Sequence, residues 1–87
     1  MSQDNKQRIT VDIHNRTYKI VGKESESHVR LVASLVDQKM KEIQTMNKRL
    51  DTTSLAVLTA VNTMNDYQKL KEDYAMLLGS LKRKEDK

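Results

Sequence analysis

The segment from Ser54 to Lys84 limits the fold most strongly, because it contains no proline and its first glycine is Gly79. No residue before that glycine interrupts a helix. At 1.5 Å per residue, a helix of this length measures about 45 Å, which is more than the rest of so short a chain can cover. The segment therefore predicts a long helix whose apolar surface is left for other copies of the chain.

The two parts of this predicted helix carry different apolar patterns. The first part has little polar surface, which is typical of a helix buried on several sides. We expect it to form the core of a homodimer through Leu55, Val57, Leu58, Ala60, Val61 and Asn62. In the second part, apolar residues recur at alternating steps of three and four, which is the pattern of a coiled coil. This seam comprises Tyr67, Leu70, Tyr74, Leu77 and Leu81.

Asn62 and Asn65 interrupt the apolar pattern and allow two interpretations. A buried asparagine in an oligomer core fixes the register of the helices at some cost in stability. Alternatively, both side chains face water or cap the junction between the helix and the preceding elements. The sequence leaves both interpretations open.

The composition favours an oligomer. The chain has 87 residues, with no Cys, no Trp and no Phe. This length predicts one domain. Because the chain has no Cys, we expect it to have no disulfide and no Cys/His metal cluster. Small chains without such cross-links commonly complete their core by oligomerising. We therefore expect a homodimer or a larger homo-oligomer.

The N-terminal part of the chain predicts a β-hairpin followed by an amphipathic helix. In the stretch RITVDIHNRTYKIVG, from Arg8 to Gly22, β-branched and aromatic residues alternate with polar ones on both sides of a break at Asn15–Arg16. Asparagine tolerates positive φ, so it suits a tight turn there. The stretch SESHVRLVASLVDQKMKEIQTM then has the period of a helix, with Ser25 or Ser27 as its cap.

These elements predict an α+β fold with two parts. Residues 1–53 would form a globular head made of the hairpin and the short amphipathic helix. Residues 54–87 would form the long helix, which serves first as dimer core, then as coiled-coil seam, and ends in a frayed basic tail. A polar connector, with Asp51, Thr52 or Thr53 as its capping residue, separates the two helices.

The charge favours an acidic partner. The formal net charge is +4, and the excess lies within residues 1–50, because basic and acidic residues balance in residues 51–87. A modest positive surface suits an acidic protein or a nucleic acid. Arg16 would lie at the exposed hairpin turn, with Lys19 and Arg8 nearby. These three residues and Asn15 are the candidate binding residues.

The sequence does not favour an enzyme. His14 and His28 have no Cys or paired carboxylates placed to work with them, and the two glycines are isolated, so no phosphate-binding loop is expected. We expect no catalytic residues, no cofactor and no bound metal. The first ten residues have no apolar segment typical of a signal peptide, and no window approaches the length of a membrane span. A cytoplasmic protein without membrane contact is expected.

Three stretches in this order resemble the cell division protein ZapA family. They are ITVDIHNRTYKIVG, VRLVASLVDQKMKEI and SLAVLTAVNTMNDY, and they cover about Ile9 to Tyr74. The most specific stretch, LAVLTAVN, is similar to the family signature Leu-x-Val-Leu-x-Ala-x-Asn. Its matching positions here are Leu55, Val57, Leu58, Ala60 and Asn62.

The resemblance implies a function at the bacterial division site. Members of this family bind the tubulin-like GTPase FtsZ, form dimers with a shared core, and pair through their long helices as antiparallel tetramers. Such a tetramer bundles FtsZ protofilaments and stabilises the Z-ring at midcell. By the same matching, Arg16 takes the place of the basic residue of the hairpin turn. Asn15 stands where the family often has glycine, and this difference bears on the geometry of the turn.

Two alternatives come from other functional classes. A small basic dimer of the strand–helix–helix kind could place paired β-ribbons in the major groove of DNA. Asp12 in the first strand opposes this alternative, because a carboxylate is repelled by phosphate, and we expect no nucleic-acid partner. A generic coiled-coil adaptor is the other alternative, and it would not bind FtsZ polymers.

Overall fold

The computed structural model describes residues 6–85 and contains four elements. They are β1 (Gln7–Ile13), β2 (Arg16–Gly22), α1 (Glu26–Met46) and α2 (Thr52–Glu85). A two-stranded antiparallel hairpin followed by two helices confirms the predicted α+β class. The predicted head boundary at residue 53 falls just inside α2. The last two residues of the predicted tail and the first five of the predicted head lie outside the described residues.

The hairpin turn lies one residue earlier than the sequence suggested. Ile13 pairs with Arg16, so the two turn residues are His14 and Asn15. Their φ angles are 53° and 63°, and positive φ at both central residues is the mark of a type I′ turn. A turn of this type matches the right-handed twist of the flanking strands. Arg16 is therefore the first residue of β2.

The register of the hairpin separates two faces. Residues that are directly opposite in an antiparallel pair share a face. On the inner face, Ile9, Val11, Ile13 and Ile20 pack on α1. Tyr18 and Arg16, opposite Val11 and Ile13, belong to the same face and are exposed. The outer face contains Arg8, Thr10 and Asp12, with Val21, Lys19 and Thr17 opposite them. On the outer face, the Thr17 hydroxyl donates a 2.8 Å hydrogen bond to the Asp12 carboxylate.

The structure shows which of the candidate polar residues caps each helix. Ser25 caps α1, because its hydroxyl oxygen accepts a 3.2 Å hydrogen bond from the backbone N–H of His28. Asp51 caps α2, because its carboxylate accepts a 2.7 Å bond from the backbone N–H of Ser54. Helix α2 begins at Thr52, two residues before the predicted start. The helical backbone continues to Glu85, and fraying of the tail stays a prediction.

The core of the protomer consists of two small apolar clusters. One lies between the hairpin and the first half of α1, and its buried residues are Ile9, Val11, Val29 and Ala33. The other lies where α1 meets the start of α2, and its buried residues are Met40, Ile43 and Leu55. Ile13 packs against both clusters, so it joins the hairpin to the contact between the two helices.

Leu55 is the most completely buried residue of this core, with 0% of its surface exposed. We expect Leu55→Ala to lower the free energy of unfolding by about 3 kcal/mol, because the substitution leaves a cavity between the two helices. Denaturant unfolding followed by circular dichroism, at one fixed protein concentration, measures this change. Lys69→Ala, at an exposed position of α2, is the control and should change it by less than about 0.5 kcal/mol. A loss below about 1 kcal/mol for Leu55→Ala would mean that this contact is not part of the folded core.

Most of α2 extends beyond the core. Its only described buried residues are Leu55 and Thr59, whose hydroxyl donates a 2.8 Å bond to the Leu55 carbonyl. Further along α2, Asp66 forms a 3.5 Å ion pair with Lys39 of α1. From Ala60 to Lys82 every residue is exposed except Gly79, which is half-buried. The chain is consequently thin and extended, measuring 55 × 50 × 16 Å.

Candidate protein-interaction surfaces

The hairpin tip, defined here as His14, Asn15 and Arg16, is held against α1 by one carboxylate. The backbone N–H of His14 donates a 2.8 Å hydrogen bond to Asp37 Oδ1. The ammonium group of Lys41 lies 3.0 Å from Asp37 Oδ2, and the Asp37 side chain is only 25% exposed. Asn15 and Arg16 are both exposed. The exposed Arg16 cation therefore projects from a turn whose backbone is hydrogen-bonded to α1.

The four candidate binding residues do not form one surface. Asn15 and Arg16 lie together at the tip. Arg8 and Lys19 lie on the outer face of the hairpin, as diagonal neighbours in the register, whereas Arg16 belongs to the inner face. All four side chains are exposed. Two separate cationic positions result: one at the tip, and one on the outer face beside the Asp12 carboxylate.

Two carboxyl groups of the head have shifted pKa values. The pKa of Asp37 is lowered, mainly by the hydrogen bond from the His14 backbone N–H and then by the hydrogen bond from Lys41. The pKa of Asp51 is lowered by hydrogen bonds from the backbone N–H and then the hydroxyl of Ser54. Each hydrogen bond favours the charged carboxylate. Both groups are therefore acceptors that stabilise local structure.

Acid is expected to weaken the fold through these two carboxylates. Because their pKa is below 3.8 in the folded chain, their contribution to stability is fully present above pH 3.8 and is lost as the pH falls through the folded-state pKa. We expect Tm to fall below that pH, and to fall less steeply in the Asp37→Asn/Asp51→Asn double variant. Circular dichroism melts between about pH 6 and about pH 3 measure both slopes. Equal slopes in the two proteins would show that other groups dominate the acid response.

The predicted dimer residues fall on two different sides of α2. Leu55 is fully buried within its own chain, and its place in a dimer core stays a prediction. Val57 and Val61 are 56% and 59% exposed. Val57 follows Leu55 by two residues, and Val61 follows Thr59 by two, so each valine points about 200° away from the buried residue. Leu58, Ala60 and Asn62 are exposed as well. The sequence pattern does not distinguish these two sides, because periodicity alone does not tell which apolar side of a helix faces its own chain.

Asn62 and Asn65 are both exposed in the single chain. This exposure agrees with side chains that face water, whereas a register-fixing role would require a second copy to cover them. Asn62 follows Leu55 by seven residues, so it lies on the side of α2 that faces α1 nearer the start of the helix.

The predicted seam forms a continuous apolar stripe on the extended part of α2. Its five side chains are between 49% and 66% exposed, and they are Tyr67, Leu70, Tyr74, Leu77 and Leu81. The stripe is about 21 Å long at the rise of an α-helix. At one end the Lys71 ammonium lies 5.3 Å from the centre of the Tyr67 ring. All five side chains are exposed in the single chain, and pairing of the seam with another copy stays a prediction.

Sequence reasoning missed two residues that join the hairpin to α1. Asp37 holds the tip, as described above. Arg30 donates a 3.2 Å hydrogen bond to the carbonyl oxygen of Thr10 and pairs with Glu26 at 2.8 Å. The pair between Glu26 and Arg30 has the i, i+4 spacing that can be read from a sequence. The contacts to the hairpin span 20 or more residues and have no such local signal.

Two further observations concern other classes of site. Within residues 6–85 no three His, Asp or Glu side chains are arranged to hold a metal ion. Neither α1 nor the described part of α2 is long and apolar enough to cross a membrane.

Comparison with known proteins identifies the family. The model of the family Cell division protein ZapA matches residues 9–87. The ZapA of Oceanobacillus iheyensis is 76% identical over 86 residues, which is 99% of this chain and 100% of that protein. The ZapA of a Geobacillus species is 55% identical over 86 residues, covering 99% of each chain.

A solved structure agrees with the sequence comparisons. The structure of a ZapA mutant dimer from Geobacillus stearothermophilus matches this fold with a TM-score of 0.73 and 48% sequence identity. The match covers 94% of this chain and 95% of that one. Fold, sequence and family model thus confirm the resemblance drawn from the three sequence stretches, and this is a family of cell division proteins rather than a known family of enzymes. The chain belongs to the cell division protein ZapA family.

Proposed function

We propose that this protein binds FtsZ through its heads and cross-links FtsZ protofilaments, which promotes assembly and stability of the Z-ring at midcell. The proposal places the protein in the cytoplasm as a homodimer that pairs into a homotetramer. The observation that carries it is the shape of the chain: a small folded head is attached to a long helix with exposed apolar residues on two sides.

The accessible surface of the chain supports an oligomer. A compact monomer of 10.1 kDa is expected to expose about 5300 Å², whereas this chain exposes 7665 Å². The excess of roughly 2400 Å² per chain is larger than the share of about 800 Å² that each partner gives to one standard interface. It is large enough for two interfaces per chain. Val57 and Val61 on one side of α2 and the seam on the other supply the apolar surface for them.

The dimer has independent support from the relative of known structure. That protein was solved as a dimer and shares nearly the whole fold with this chain. A second copy that covers Val57, Leu58 and Val61 would remove three exposed apolar residues near the head from water. The seam lies further along α2, where it remains available for pairing of two dimers.

The long helix then acts as a spacer between heads. Its 34 residues span about 51 Å, so heads at the two ends of an antiparallel tetramer are held well apart. Once one head is bound, the others meet FtsZ at high effective concentration, and weak single contacts add up to firm cross-linking. This mechanism needs an exposed binding surface and a stiff spacer, and no catalytic residue.

The hairpin tip is the surface that fits the binding role best. Arg16 is exposed, lies at the end of the head, and follows a turn whose backbone is fixed to α1. A fixed cation loses less freedom on binding than one on a mobile loop, so it discriminates better for an acidic partner. The outer-face cations Arg8 and Lys19 share their surface with Asp12, which weakens the local positive potential.

Bundle formation tests the proposal. Purified protein added to FtsZ in GTP should raise light scattering and give filament bundles with a regular spacing in electron micrographs. A variant restricted to dimers by charges in the seam serves as the control, and it should give fewer bundles at equal chain concentration. Single, unbundled filaments at every concentration of the wild-type protein would contradict the proposal.

A further inference from the structure

The turn at the hairpin tip has an unusual backbone for its sequence. His14 and Asn15 both have positive φ, at 53° and 63°, and neither is glycine. Side chains crowd the backbone in this region, so two such residues in succession persist only where their surroundings favour them. A hydrogen bond from the His14 N–H to Asp37 Oδ1, at 2.8 Å, joins this turn to α1.

Asp37 is well placed to fix the turn. It stands 23 residues after His14, near the middle of α1, and its carboxylate is three-quarters covered. Its second oxygen is paired with Lys41 at 3.0 Å, an i, i+4 partner on the same helix. Ile13, which precedes the turn, packs against both core clusters. The tip is thus attached to the head by apolar packing on one side and by a carboxylate on the other.

We propose that Asp37 is a positioning residue for FtsZ binding: it accepts the His14 backbone N–H and thereby holds the turn so that Arg16 projects in one fixed direction. This inference rests on the proposed function, because it assumes that the tip binds FtsZ. Asp37 itself need not touch the partner. Its role depends on hydrogen-bond acceptance, and the ion pair with Lys41 only orients the carboxylate.

Three substitutions separate these contributions. Asp37→Ala removes the acceptor, Asp37→Asn keeps an acceptor oxygen but removes the charge, and Lys41→Ala removes the ion pair alone. Two measurements are made on each variant. Hydrogen exchange of the His14 amide, followed by NMR, reports whether the turn is held. Co-sedimentation with FtsZ polymerised in GTP reports binding, and light scattering of the protein alone verifies the oligomer.

We expect the Asp37→Ala variant to exchange the His14 amide at least tenfold faster and to bind FtsZ about fivefold more weakly, with the oligomer intact. Asp37→Asn and Lys41→Ala should stay within about twofold of the wild type in both measurements, because an acceptor for His14 remains. Rescue by asparagine distinguishes positioning by hydrogen bonding from a purely electrostatic effect of the carboxylate. Equal losses in the alanine and asparagine variants would overturn the inference.

The wild-type protein gives a test that does not depend on any variant folding correctly. Its His14 amide should exchange slowly, and rapid exchange would overturn the inference even if the Asp37→Ala variant unfolds. The two proposals can also fail separately. If the wild-type protein binds FtsZ through Arg16 and Asp37→Ala binds equally well, only the positioning role fails. If the wild-type protein does not bind FtsZ, both fail.

Discussion

Arg16→Glu is expected to abolish bundling of FtsZ while leaving the oligomer and its helix content unchanged. Replacing a cation by an anion converts an attractive contact with an acidic surface into a repulsive one. A hydrogen bond to a charged group contributes about 1.5 to 3 kcal/mol. Because each cross-link uses at least two heads, the losses add, and the apparent affinity should fall by at least about a hundredfold.

Arg8→Glu is the matched control for that experiment. It makes the same change of charge on the outer face of the hairpin, away from the tip. Co-sedimentation and light scattering with FtsZ should show a much smaller loss for this variant. If Arg8→Glu abolishes binding and Arg16→Glu does not, the outer face is the binding surface. Collapse of the oligomer in Arg16→Glu would show instead that Arg16 has a structural role.

Leu77→Glu combined with Leu81→Glu is expected to split the tetramer into dimers. Both side chains lie in the apolar stripe, and a tetramer would bury eight carboxylates in place of eight leucines. Burying an unpaired charge costs several kcal/mol, which exceeds what the remaining seam residues contribute. Light scattering coupled to size exclusion should show the mass falling from four times to twice the 10.1 kDa of the chain. Folded heads should persist, because neither residue contacts the two core clusters.

Met76→Glu combined with Ser80→Glu is the control for the seam. These residues have the same spacing, both are exposed, and each lies about 100° around α2 from the seam leucine that follows it. The added charge is the same, so general repulsion between chains affects both variants equally. The control should keep the mass of the wild type. An unchanged mass in the Leu77/Leu81 variant would place the contact between dimers elsewhere on α2.

Local patterns in the sequence predict the elements of this fold well. The alternation of Ile9, Val11 and Ile13 predicts a strand with one buried face, and the structure buries that face on α1. The helical spacing of six apolar residues predicts one apolar side of α1, and they are Val29, Val32, Ala33, Val36, Met40 and Ile43. Four of them are buried, whereas Val36 is half-buried and Val32 is exposed. These signals are strong because each element has a single period that one face of the core imposes.

Contacts between distant residues are the part that the sequence does not reveal. The turn was placed one residue late because a histidine with positive φ is uncommon, and nothing local indicates that Asp37 holds it. Leu55 and Val57 look alike in a nearly continuous apolar run, although one fills the core of its own chain and the other faces outward. Each case depends on which surface of an element meets which neighbour, and a one-dimensional period cannot specify that.

The most direct measurement is co-sedimentation of this protein with FtsZ polymerised in GTP, with GDP as the control and salt concentration held fixed. The proposed function predicts that the protein pellets only with polymers, that it increases the amount of FtsZ in the pellet, and that Arg16→Glu removes both effects. If the wild-type protein stays in the supernatant across a range of protein and salt concentrations, cross-linking of FtsZ is contradicted. Binding to duplex DNA with a steep dependence on salt would then support the alternative of a DNA-binding dimer.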